Sequence, residues 1–173
     1  MRFLTLLIAA SILTSCAMTG RSISDVPRID AEKISVPAMS ALPNRDMSIT
    51  IVDNRQAEFR NQSMELKSEI ERATQEALTR TGITVSAIST NALTLTIQDY
   101  QTQKMQEGCV KVNGSLVIPK KAKLGSEATG CFEMKTPFGG KMSADITKAY
   151  EEALSLVFKN LDEAMGKMQT MKK

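Results

Sequence analysis

The spacing of apolar residues switches between two and about 3.6 along this chain, and that switch constrains the fold more than any other feature. Met47, Ile49 and Ile51 alternate with Ser48, Thr50 and Val52, the period of a strand, and Asp53-Asn54-Arg55 ends it in a polar turn. Residues 54–62 read as a solvated loop. From Ser63 the period lengthens. Leu66, Ile70, Ala73 and Ala77 form one helical stripe, with Ser63 placed to cap it, Glu65 in its first turn and Gly82 as the left-handed residue beyond its end. Residues 83–88 return to a short strand. Leu93, Leu95 and Ile97 then alternate with Thr94, Thr96 and Gln98. After a polar break from Gln101 to Gly108 come Val110, Val112, Leu116 and Ile118, another strand. Gly114 in its middle marks a bulge or a close backbone approach. Pro119-Lys120-Lys121 turns the chain, and residues 128–134 make the last strand. Ser143 opens a long helix whose stripe is Ile146, Tyr150, Ala153, Val157, Leu161, Met165 and Met168, widened by Leu154 and Phe158.

The order β-α-β-β-β-β-α predicts an α+β fold. Half-polar strands imply one covered and one open sheet face, hence a two-layer sandwich: a mostly antiparallel sheet of about four to five strands, with both helices on one face. The chain has 173 residues, enough for one substantial core and not comfortably for two. The domain is expected over 47–173. Residues 16–46, interrupted by Pro27, Pro37 and Pro43, read as a flexible tether with a mean span of roughly 30 Å.

The first fifteen residues read as a signal peptide. Met1-Arg2 is a basic start, and residues 3–13 are an apolar run broken only by Thr5 and Ser11, too short for a permanent membrane span. The run ends in Leu13-Thr14-Ser15-Cys16. That tetrapeptide resembles, position by position, the lipobox of bacterial lipoproteins. The resemblance implies cleavage before Cys16, a diacylglyceryl thioether and an N-acyl chain on Cys16, and stable membrane anchoring by several chains. Ala17 after the cysteine, rather than Asp, implies the outer membrane of a Gram-negative cell, with the domain in the periplasm.

With Cys16 assigned to lipid, Cys109 and Cys131 form an even pair in an oxidising compartment, where a disulfide is expected. A hairpin turning near residue 120 sets 110 opposite 130, 112 opposite 128, and Cys109 opposite Cys131. The odd positions then share a face with Lys111, Asn113, Thr129 and Glu133, which puts the disulfide on the open side of the sheet. Closing a loop of about 20 residues contributes on the order of 3 kcal/mol.

A second resemblance covers residues 47–165. The residues Ile49-Thr50-Ile51-Val52-Asp53-Asn54-Arg55, the helix ending Leu78-Thr79-Arg80-Thr81-Gly82-Ile83, the strand Leu93-Thr94-Leu95-Thr96-Ile97 and the long final helix from Ala144 resemble the YajG-type family of small bacterial lipoproteins. The topology is also similar to that of auxiliary lipoproteins of envelope transport systems, including the one that plugs the lipopolysaccharide export barrel. The resemblance implies fold and location, and no assigned activity. The cysteine pair is not part of that family's general pattern.

Catalytic chemistry finds little support. The chain contains no His, which removes the commonest general base near neutral pH and the commonest zinc ligand. It holds no G-x-S-x-G, S-x-x-K or C-x-x-C. Gly139-Gly140-Lys141-Met142-Ser143 faintly resembles a phosphate loop, but Lys135 stands where the first glycine belongs. No metal and no cofactor are expected, and the protein is not expected to be an enzyme. A net charge of +3 argues against a nucleic-acid binder. Glu151-Glu152 reads as a solvated helix face, since adjacent helical positions diverge.

Three groups are candidates for partner contact. Asp53 and Arg55 either clamp each other or a neighbouring loop, or touch a partner. Lys111 and Glu133 lie on the open face. Lys120, Lys121 and Lys123 form a basic hairpin tip, either a solvated turn that discourages edge pairing or a contact for anionic lipid. The expected role is that of a non-catalytic binding or assembly accessory with an envelope protein partner. The alternative is a carrier or sensor of a small envelope ligand, a lipid or glycan fragment held between helices and sheet.

Overall fold

The computed structural model describes residues 28–57, 60, 65–98, 101–104, 107–133 and 142–170. The signal peptide, the lipobox with Cys16, and the helix cap at Ser63 lie outside the described residues, as does the side chain of Glu133.

The elements are β1 (Asp46–Asp53), α1 (Leu66–Arg80), β2 (Thr84–Val85), β3 (Ala92–Ile97), β4 (Gln101–Lys104), β5 (Glu107–Ile118), β6 (Ala122–Glu133) and α2 (Met142–Thr170). Together they form the α+β two-layer sandwich that the periodicity predicts. The six strands lie in five rows, because β3 and β4 follow one another along the same edge of β5 while β6 runs along the other. The sheet is mixed. β1 pairs in parallel with β2 and β3, and the pairings of β5 with β3, β4 and β6 are antiparallel. The parallel rows follow from α1, which returns the chain to the start of the sheet before β2 and β3 begin.

Both helices cover one face. The α1 stripe is buried at Leu66, Ile70, Ala73, Ala77 and Leu78, and Gly82 takes the expected left-handed conformation at φ 77°. On α2, Ile146, Tyr150, Ala153, Leu154, Val157, Phe158, Leu161 and Met165 are buried. They meet Leu93, Leu95, Ile97, Val110, Val112, Leu116 and Ile118 from the sheet in one core. Gly114 supplies a close approach, not a bulge. A Cβ there would stand 2.5 Å from Val157 Cγ1. Gly130 does the same nearer the start of α2, where a Cβ would collide with the Ala149 carbonyl.

In the extent of its elements, the structure differs from the sequence expectations in four places. The polar break after β3 contains β4, a strand held by its pairing with β5 and not by an apolar face. The strand expected over 83–88 shrinks to β2, and Ile88 is 92% exposed. The last strand begins six positions earlier than expected, at Ala122, because the hairpin pairs without interruption from Ile118↔Ala122 to Glu107↔Glu133. The expected tether ends earlier than residue 46. Ile29, Ala31, Ile34, Met39 and Leu42 are all part of the core.

That N-terminal segment is a strap across the helix layer. Ile29 N donates to Glu69 on α1 (2.7 Å), and Asp30 N donates to Glu151 on α2 (3.1 Å). Further along, Ile34 O accepts from Arg80 on α1 (3.1 Å), and Ser35 N donates to Ser155 on α2 (2.9 Å). Glu151 is therefore 4% exposed, which corrects its reading as solvated, while Glu152 is exposed as expected. Arg45 fastens the strap's far end, donating to the carbonyls of Ala38, Thr81 and Gly82.

Candidate functional site

The open face of the sheet is built from the positions that the helices leave uncovered: Ser48, Thr50 and Val52 on β1, Ala92, Thr94 and Thr96 on β3, and the odd residues of β5 and β6. The register is the expected one. Cys109 stands opposite Cys131, Val110 opposite Gly130, and Val112 opposite Ala128. Cys109 and Cys131 are joined by a disulfide with a Cα separation of 4.1 Å. Cys109 is buried and Cys131 is exposed. Lys111 lies on the same face and forms an ion pair with Glu127 of β6 (2.5 Å), its diagonal neighbour. The sequence reading named Lys111 and missed Glu127, although the hairpin register alone brings the two together.

Asp53 and Arg55 clamp each other at the end of β1. Arg55 Nε donates to Asp53 Oδ1 (2.9 Å) and Nη2 donates to Oδ2 (2.7 Å), a bidentate pair. The Arg55 backbone N–H adds a third bond to Oδ1 (3.2 Å). The Arg55 side chain is 0% exposed. This corrects the solvated-loop reading of residue 55 and removes its guanidinium from any external contact. Burial works to raise the Asp53 carboxyl. The hydrogen bonds and charge of Arg55, with a smaller contribution from the charge of Arg60, outweigh it and hold the group below the usual carboxylate range.

Lys120, Lys121 and Lys123 sit together at the exposed tip of the β5–β6 hairpin. Lys120 is in a positive-φ conformation at 59°, and Lys121 N donates to Ile118 O (3.1 Å) to close the turn.

A second polar cluster, not foreseen from sequence, links the strap to α1. Arg72 donates to Glu69 (2.7 Å), Glu76 (2.7 Å) and the Ile29 carbonyl (2.8 Å). Hydrogen bonding from Arg72 holds the Glu69 carboxyl below its usual range against the opposing effect of burial, helped by the Ile29 N–H. Asn91 was also missed. It is buried, and its side-chain amide donates to the carbonyls of Pro43 and Asp46 (2.9 Å each), pinning the strap to the start of the sheet. The i,i+3 and i,i+4 spacing of Arg72 with Glu69 and Glu76 was a visible signal for the first. Asn91 offered none.

Among the described residues, no group of three or more His, Cys, Asp or Glu is placed to hold a metal ion. Two shallow depressions, of about 450 and 480 Å³, lie along the outer side of α1 and the strap, lined in part by Arg72 and Glu76 and by Lys33 and Arg80. Neither lies between helices and sheet.

No family model and no curated protein matches this sequence. The YajG-type resemblance therefore rests on the residues quoted for it. Several solved structures follow part of the same chain path. A Xanthomonas campestris protein aligns with a TM-score of 0.45 at 10% identity, over 73% of this chain and 86% of its own. PelC from Paraburkholderia phytofirmans, solved as a dodecamer, gives 0.43 at 16% identity over 71% and 94%. Rare lipoprotein B from Shewanella oneidensis gives 0.42 at 10% identity over 72% and 98%. At these scores the likeness extends to part of the chain path and carries nothing about ligand or assembly.

Proposed function

We propose that this protein is a lipid-anchored lipoprotein of the bacterial envelope. In this reading it works at the outer membrane as a non-catalytic binding or assembly accessory. One observation carries the choice of surface: the strap and the open sheet face lie on opposite sides of the domain. Residues 28–35 bond to both helices, so the segment leading from Cys16 joins the domain on its helix layer. The sheet face with Lys111, Glu127, Thr129 and the disulfide lies on the side of the domain away from the strap, and in this reading it is the face that meets an envelope partner. The absence of His and of nucleophile motifs in the sequence supports a non-catalytic role. The alternative, a carrier of a small lipid or glycan fragment, needs space between helices and sheet. At Gly114 and Gly130 the two layers are too close even for an added methyl group, which favours the binding role.

Crosslinking in intact cells followed by mass spectrometry tests this reading, comparing the acylated protein with its Cys16→Ala form. The expected result is a stoichiometric envelope partner captured by the anchored form and lost from the Cys16→Ala form. Replacing Lys111 by Gln, which removes the open-face charge with little change of shape, is expected to weaken that capture. Undiminished capture with Lys111→Gln would exclude this part of the face, and the lack of any enriched partner in either form would overturn the accessory role.

A further inference from the structure

The outer edge of β6 has no strand paired to it among the described residues, and β6 is twelve residues long. Which of its backbone groups face outward follows from the register. Gln98 N donates to Lys111 O (3.0 Å), so the polar backbone groups of odd residues in β5 point toward β3, away from β6. The odd pairs between β5 and β6 are therefore the non-hydrogen-bonded pairs, in keeping with the 4.1 Å Cα separation of Cys109 and Cys131. The register runs without a bulge from Glu107↔Glu133 to Ile118↔Ala122. Along β6, then, Lys123, Gly125, Glu127, Thr129 and Cys131 each direct N–H and C=O outward, and the four side chains among them lie on the open face.

We propose that this edge pairs with the same edge of a second copy of the chain, antiparallel, about a two-fold axis through Gly125. In that register Gly125 faces Gly125 of the second copy, Lys123 faces Glu127, and Glu127 faces Lys123. These are hydrogen-bonded pairs, because the odd residues supply the outward groups, and the three residue pairs form about six backbone hydrogen bonds. Two opposite charges face each other directly on each side of the axis, the arrangement that stabilises a strand pair. Neighbouring registers lose this match. Centring on residue 126 sets Lys123 against Thr129 and Glu127 against Gly125, and centring on residue 127 sets Glu127 against itself.

A lysine on an edge strand ordinarily discourages pairing. Here the same strand carries its complement four residues away on the same face. Glu127 already accepts an ion pair from Lys111 (2.5 Å), so in the dimer it sits between two lysines. The helix layer leaves room for the contact. α2 meets β6 at Gly130 and has crossed to β5 by Gly114, beside Val157 and Leu161. An added Cβ at Gly125 meets nothing within 4 Å. The product is a single sheet continuous through two copies, with both open faces on one side. This inference stands on the hairpin register and does not depend on the lipid anchor.

Sedimentation equilibrium of the full chain in density-matched detergent tests it with two variants. Lys123→Glu sets Glu against Glu across the axis, and Glu127→Lys sets Lys against Lys. The unaltered chain is expected to be a dimer at high concentration. Each variant alone is expected to dimerise at least tenfold more weakly, and an equimolar mixture of the two is expected to recover the dimer, because each Glu then faces a Lys. Lys123 is exposed and makes no side-chain hydrogen bond or ion pair among the described residues, so Lys123→Glu keeps the comparison valid even if Glu127→Lys disturbs the fold by losing Lys111. An unaltered chain that stays monomeric at every concentration overturns the proposal and leaves the edge to a strand of another protein. Dimerisation of Lys123→Glu as strong as that of the unaltered chain overturns it as well.

Discussion

At the scale of single residues, Arg55 and Asp53 make the clearest case. The pair was legible in sequence as two charges two positions apart at a strand end. What the sequence did not show is that Arg55 is 2% exposed. Burial changes the energetics. An exposed pair contributes little, whereas removing one partner of a buried pair leaves the other uncompensated. Arg55→Met is expected to destabilise the fold by about 3 kcal/mol, read from urea unfolding at pH 7. The Asp53 carboxyl has a folded pKa below its unfolded value. Its contribution is complete above the unfolded carboxylate range near pH 4 and is lost as pH falls through the lower folded value. Asp53→Asn should therefore be less stable than the unaltered chain at pH 7, and the gap should narrow progressively below about pH 4. A gap that stays constant down to acid unfolding would mean that the pair is not charged in the fold.

At the scale of elements, the β5–β6 hairpin was the most legible part of the chain. A turn near residue 120 and two cysteines equidistant from it determine every pairing between the strands, and the register follows them without exception. By contrast, β4 was illegible because Gln101-Thr102-Gln103-Lys104 carries no apolar alternation. It is a strand only because β5 offers it an edge. Helix α2 was legible in its stripe, but its height above the sheet was not. That height is set by Gly114 and Gly130, and only Gly114 stood out in sequence, within an apolar run. Gly130→Ala brings a methyl into the Ala149 carbonyl, where backbone, not a flexible side chain, must move. The expected loss is about 3 kcal/mol, with Gly125→Ala, which meets nothing, as a control within about 0.5 kcal/mol of the unaltered chain. Equal midpoints for the two variants in thermal unfolding would show that α2 does not press on β6 there.

At the scale of the whole molecule, the strap changes where the domain begins. Two prolines, Pro37 and Pro43, and the lack of any apolar period made residues 28–45 read as linker. Ile29 and Ile34 fill the groove over α1 and α2 as single side chains, without forming a strand or a long helix of their own. Their burial is a tertiary event that no local pattern encodes. It predicts a sharp boundary. A chain starting at residue 28 should keep the urea midpoint of the longer mature chain. A chain starting at residue 37 loses Ile29, Ala31 and Ile34 from the core together with the hydrogen bonds to Glu69, Glu151, Arg80 and Ser155. Two buried isoleucines contribute about 2 kcal/mol each, so the shorter chain is expected to be less stable by about 4 kcal/mol before the ordering entropy of the strap is returned. Equal midpoints for the two truncations would make residues 28–36 an ornament on the helix layer. A large drop for the second alone would make the strap part of the domain, and would place the free tether wholly upstream of residue 28, between the helix layer and the proposed anchor at Cys16.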